Sequence, residues 1–101
     1  MSVTPIPIGK DELAVFRKLF LRALNENQIL ILKSINGKHR SLNAFLEEIS
    51  KDTRKPISTL KLNAKILKKL GLIDYGEKNN PKPIELTKHG RIVLKILGVV
   101  E

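Results

Sequence analysis

The chain has no cysteine and no tryptophan, and only one tyrosine and three phenylalanines among its 101 residues. Without cysteine, disulfides, thiolate metal sites and a thiol nucleophile are excluded together. With so few aromatics, a core has to be assembled from Leu, Ile and Val. The same shortage argues against single-stranded RNA recognition, which stacks bases on aromatic rings. Phe16, Phe20, Phe45 and Tyr75 are all there is. Long apolar runs are missing too. The longest, Ile29-Leu30-Ile31-Leu32, falls far short of the ~18 residues of a membrane span, and no long apolar stretch follows a basic start as in a signal peptide. The six glycines stand singly, so there is no glycine-rich phosphate loop. His39 and His89 fall in unrelated segments without ligand spacing to carboxylates. Glu47 and Glu48 are helix neighbours that point about 100° apart, which is not the geometry of an acid/base dyad. No catalytic constellation, metal site, cofactor or small-molecule ligand is identifiable. The expectation is a small, soluble, basic, cytoplasmic protein that is not an enzyme.

Acidic side chains are also in short supply. Ten Asp and Glu stand against nineteen Lys and Arg, a net charge of +9. The excess is uneven: residues 1–50 hold seven basic and five acidic side chains, net +2, and residues 51–101 hold twelve and five, net +7. Between Lys51 and Lys69 lie Lys51, Arg54, Lys55, Lys61, Lys65, Lys68 and Lys69, opposed by Asp52 alone. A one-sided block of this kind marks a polyanion-binding face. A lysine-rich solubilising surface is the plainer alternative, but in thermophiles Lys and Glu rise together, and here Lys rises without Glu.

What is present reads as one domain, since the length suits a single core. Pro5 and Pro7 keep residues 1–10 extended, as an arm. Residues 11–101 form the domain. From Asp11 to Leu24, Leu13, Phe16, Phe20 and Leu24 recur at helical spacing, and Leu19, Leu21 and Ala23 widen that stripe beyond one contact face. Asn25 to Asn27 caps a second helix, Gln28 to Ile35, buried nearly all round. Ser41 caps a third, with Leu42, Phe45, Leu46 and Ile49 inward. The polar stretch from Ile49 to Ile57 reads as a long turn. Pro56 opens a fourth helix, residues 56–70, with Leu60, Ala64 and Leu67 on one face and Ser58, Lys61, Lys65 and Lys68 opposite. Gly71 ends it. Leu72 to Tyr75 and Ile84 to Thr87 read as two strands around a turn-rich loop, and a last helix runs from Lys88 to Leu97. The fold class is α+β, mostly helical.

The stretch from Ser58-Thr59-Leu60 to Leu67-Lys68-Lys69-Leu70-Gly71-Leu72-Ile73 resembles the recognition helix and Gly-Leu-Ile exit of winged helix-turn-helix regulators. Ile84-Glu85-Leu86-Thr87-Lys88-His89-Gly90 resembles their second wing strand and the Leu-Thr-x-x-Gly opening of their last helix. The resemblance covers roughly residues 25–97 and is nearest to the MarR-like, PadR-like and small archaeal winged-helix groups. It implies a winged helix-turn-helix with an extra N-terminal helix and a two-stranded wing at about 72–87. It also implies a double-stranded DNA-binding protein, a transcriptional regulator associated with the nucleoid.

On that expectation the fourth helix enters the major groove, where Ser58, Thr59 and Asn63 touch base edges. Lys61, Lys65 and Lys68 hold phosphates. The loop at 76–83 offers Lys78, Asn79, Asn80 and Lys82 to the minor groove or its rim. Lys38, Arg40 and Ser41 prepare the third helix to receive a phosphate, and Lys51, Arg54 and Lys55 extend the basic surface. The surplus apolar faces of the first and last helices predict a homodimer. Two rivals remain open: a winged-helix module for protein contact, and a sequence-neutral chromatin protein. Leu62 and Ile66 separate the first rival, because a DNA reader buries them and an adaptor exposes them.

Overall fold

The computed structural model describes residues 9–39, 41–77 and 79–98. Residues 1–8 of the expected arm and Val99, Val100 and Glu101 lie outside them, and Lys10, which the sequence placed in the extended arm, is instead the first residue of a helix. Helices α1 (Lys10–Ala23), α2 (Glu26–Ser34), α3 (Leu42–Thr53) and α4 (Ile57–Lys69) precede strands β1 (Ile73–Asp74) and β2 (Glu85–Leu86), and α5 (Lys88–Leu97) closes the order. The strands pair antiparallel, Ile73 with Leu86 and Asp74 with Glu85. The described chain is therefore α+β and mostly helical. None of its helices is long and apolar enough to cross a membrane.

The helix starts follow from their caps. Asn25 accepts a hydrogen bond from the Gln28 N–H at 2.8 Å, and the Gln28 side chain accepts one from the Asn25 N–H at 3.1 Å, a reciprocal capping box that sets the start of α2. Ser41 caps α3 through Ala44 N–H, and Thr87 caps α5 through Gly90 N–H. Thr87 also donates to the Gly71 carbonyl, tying the end of α4 to the start of α5. Gly71 has φ +80°, a left-handed turn that ends α4. A Cβ on Gly90 would fall on the Leu72 carbonyl oxygen, so the first turn of α5 can lie against the approach to β1 only with glycine there.

One core joins these elements. Ile31 and Leu32 of α2, Phe45, Leu46 and Ile49 of α3, and Leu60, Ala64 and Leu67 of α4 are buried together with Ile73, Ile84, Val93, Leu94 and Leu97. Leu42 is half-buried at its edge. On α5 the inward set is Val93, Leu94 and Leu97, while Ile92 faces out. Helix α1 differs from the rest: it packs on α5, yet none of its residues is fully buried.

The long turn expected after Ile49 is corrected to three residues. Helix α3 continues to Thr53, and only Arg54, Lys55 and Pro56 separate it from α4. Arg54 takes a left-handed backbone, φ 62°, while its N–H bonds back to the Ser50 carbonyl at 2.7 Å. Ser50 Oγ then crosses the turn to the Lys55 carbonyl at 2.6 Å. Polar side chains that have the composition of a loop are here the hydrogen-bonding groups of a helix end.

Candidate nucleic-acid interface

The outward face of α4 consists of two neighbouring rows at four-residue steps. Lys61, Lys65 and Lys69 form a cationic row, and Ser58, Leu62, Ile66 and Leu70 form a neutral one. All seven are exposed. The three lysines make no ion pair among the described residues, so their charge is directed to solvent. Sequence reading places Lys69 in the basic block but not among the DNA-contacting residues, although its place four residues after Lys65 puts it on the same row. The neutral row is more exposed than a groove-reading helix was expected to leave it, Leu62 at 60% and Ile66 at 37%.

Asn63 is not on this face. It is only 6% exposed and points toward the start of α2. Its Oδ1 accepts from Asn25 Nδ2 at 2.9 Å and Gln28 Nε2 at 3.2 Å, and its Nδ2 donates to the Thr59 carbonyl at 2.9 Å. The expected base-edge contact is therefore corrected to a buried polar joint between α2 and α4. The spacing held the signal: Asn63 lies three residues after Leu60, beside Ala64 and four before Leu67, in the middle of the inward face. Thr59 is half-buried on the same flank, and Ser58 remains exposed.

Lys68 is also corrected. It leaves the outward face and donates to the Tyr75 carbonyl at 2.7 Å, with its ammonium 4.3 Å from the Tyr75 ring centroid and Asp74 at 3.8 Å. The same nitrogen stands 3.9 Å from Glu77. Lys82 pairs with Asp74 at 3.3 Å and Lys55 with Glu26 at 3.5 Å. Lys68 fastens the hairpin to α4, Lys82 pairs within the hairpin, and Lys55 joins α2 to the turn before α4. At Asp74, burial pulls the carboxyl upward. The Lys82 hydrogen bond and charge, the Tyr75 N–H and Lys68 outweigh it and hold the group below its ordinary range. Burial, and then the Glu77 charge, push the Tyr75 phenol up.

The remaining candidates are scattered more widely. Lys38, Lys51, Arg54, Asn79 and Asn80 are exposed. Ser41 is half-buried and occupied as a helix cap. Asn80 closes the hairpin tip by donating its N–H to the Glu77 carbonyl at 3.0 Å, and Gly76 lets that tip fold tightly, since a Cβ there would strike the backbone of Asn80 and Lys82. Arg40 and Lys78 lie outside the described residues. No hydrogen bond or ion pair among the described residues joins Lys38, Ser41 or Lys51 to the α4 face. His39, which has no carboxylate at ligand spacing in the sequence, pairs through Nε2 with Glu48 and meets the Phe45 ring edge-on at 5.3 Å. Loop and helix bring the two together across nine positions, a distance no helical spacing rule covers. Among the described residues no group of three His, Asp or Glu is placed to hold a metal ion.

The chain matches no protein-family model, no curated protein and no solved structure.

Proposed function

We propose that the chain is a winged helix-turn-helix protein that binds double-stranded DNA as a homodimer and regulates transcription. The observation that carries this reading is the row Lys61, Lys65 and Lys69 on the outward face of α4, unpaired among the described residues, on the hairpin side of the helix. Two features support the fold assignment. The three-residue turn from α3 to α4 suits a helix-turn-helix, and the β1–β2 hairpin fastened to α4 by Lys68 suits a wing. A single-sign, acid-free helix surface gains affinity by releasing counterions from a phosphate backbone.

The second copy is assigned to α1 and α5. Val15, Phe16 and Leu19 share one exposed side of α1, Leu13 and Leu21 are exposed elsewhere on it, and Ile92 is exposed on α5. An isologous dimer covers such a face on both chains with one contact. It would set two α4 helices about one DNA turn apart, ~34 Å.

A second reading is favoured by one observation. Leu62 and Ile66 are exposed, which is the pattern expected of a protein-contact module. Fluorescence anisotropy with a labelled duplex, competed by random DNA, tests the first reading. Specific sites should bind ~10³–10⁷ more tightly than bulk DNA. Equal competition by any duplex leaves a sequence-neutral chromatin protein, and absence of duplex binding leaves the protein-contact module.

A further inference from the structure

The side chains that discriminate bases by hydrogen bonding in the major groove are few: Arg or Lys for guanine, Asn or Gln for adenine, Asp or Glu for cytosine, with Ser or Thr less selective. Helix α4 contains no Arg, Gln, Asp or Glu. Its single amide, Asn63, is buried against α2. The outward face is left with three lysines, which mostly hold phosphates, one serine, and the aliphatic groups of Leu62, Ile66 and Leu70. An aliphatic side chain finds one apolar feature in the major groove, the C5-methyl of thymine.

Leu62 occupies the middle of that face. Ser58 lies one turn before it and Ile66 one turn after, and Lys61 and Lys65 flank it on the cationic row. We propose that Leu62, with Ile66 on the next turn, reads thymine methyl groups, so that α4 selects duplexes presenting thymines to its neutral row. The proposal rests on the duplex-binding reading above and names what that site recognises. It also explains why a basic face keeps exposed aliphatics: they are uncovered in the free protein and covered in the complex. Leu62 and Ile66 stand ~6 Å apart along the helix axis, close to two base-pair steps of ~3.4 Å. Preferred sites should therefore carry thymines about two steps apart. The alternative occupant is an acidic amphipathic helix, with apolar groups for the neutral row and carboxylates for the lysines. The acid-free lysine row on the hairpin side favours the duplex, because it offers one wall of the groove a continuous set of phosphate contacts.

The test is selection of duplexes from a randomised library, followed by synthesis of the recovered sites with deoxyuridine in place of thymidine. That exchange deletes the methyl and keeps the base pair. Wild-type protein should lose about fourfold in affinity for each methyl contacted, and Leu62→Ala, which leaves Ile66 in place, should lose one such fourfold step of the thymine preference. Lys65→Ala should weaken both duplexes alike. Leu62 is exposed, so its replacement leaves the core intact, which circular dichroism can verify. Wild-type protein indifferent to uracil, or Leu62→Ala that keeps the full wild-type thymine preference, overturns the proposal and leaves duplex binding standing. A library from which nothing is recovered, together with no measurable binding to any duplex, overturns both and points to the acidic-helix partner.

Discussion

Helices α1 and α4 are nearly the same length, 14 and 13 residues, and both show aliphatic side chains to solvent, yet they differ in what lies beneath. Helix α4 buries Leu60, Asn63, Ala64 and Leu67 against its neighbours, whereas α1 buries no residue fully. Their charges differ as well. Helix α1 mixes Asp11 and Glu12 with its cations, and α4 carries four lysines and no acid. An exposed aliphatic therefore has a different meaning on each. On α1 it belongs to a helix with too little cover, which a second copy of the chain can supply. On α4 it sits beside a cationic row on a helix whose folding is already secured from the other side.

The difference between the two helices depends first on the core beneath α4. Phe45→Ala or Leu67→Ala should cost ~2–5 kcal/mol, the forfeited transfer energy plus a residual cavity, read as a lower denaturant midpoint. An unchanged midpoint would mean that these residues are not where the packing places them. Asn63→Ala comes next. It strands Asn25 and Gln28 without their shared acceptor, and unmade buried hydrogen bonds cost ~1–3 kcal/mol. Stability should fall while the salt dependence of duplex binding stays as it was, because Asn63 does not face the ligand. A changed salt slope would return Asn63 to the interface.

Leu19→Glu probes α1 in the same way. It puts a charge on the face assigned to the partner copy, and sedimentation at tens of micromolar should shift from dimer to monomer. The folded protomer should change by no more than ~0.5 kcal/mol, as exposed substitutions usually do. A wild-type protein that sediments only as monomer, with and without duplex, rules the α1 contact out. The smallest effect is expected at Asp74. Its carboxyl is held below its ordinary value of 3.8, so its contribution is present above that value and disappears as pH falls through the lower folded one. The side chain is 40% exposed, so solvent screens the pair and Asp74→Asn should cost less than ~1 kcal/mol at neutral pH. The difference from wild type should close below about pH 4. A gap that stays constant from neutral to acid pH would show that the ion pair with Lys82 is not its cause.

Much of this arrangement is legible in the residues. Helical spacing locates the inward sets of α3 and α4, and Ser41, Gly71 and Thr87 mark helix ends, because capping and left-handed turns depend on the local chain alone. Sequence reading fails where tertiary contacts decide. Residue type makes Asn63 a polar group seeking a base, although its phase on the helix places it inward. Spacing groups Lys68 with Lys61 and Lys65, but a flexible side chain at the edge of a face goes to the nearest acceptors, here the Tyr75 carbonyl and Asp74. Nor does composition set the length of the turn before α4, since Ser50 and Thr53 serve equally well in a loop or as the last hydrogen-bonding groups of a helix.

Everything proposed for duplex binding depends on the α4 lysine row, rather than net charge spread over the whole surface, engaging the phosphates. A salt titration of duplex affinity for wild type, Lys65→Ala and Lys18→Ala decides between the two, since Lys18 is an exposed lysine on α1. Each phosphate neutralised contributes about −0.9 to the slope of log affinity against log salt. Lys65→Ala should flatten that slope by about one unit for each phosphate it no longer neutralises, or about two for a dimer, while Lys18→Ala leaves slope and affinity nearly unchanged. Equal weakening by the two variants would contradict this and make binding diffuse electrostatics. No weakening by either would remove α4 from the interface.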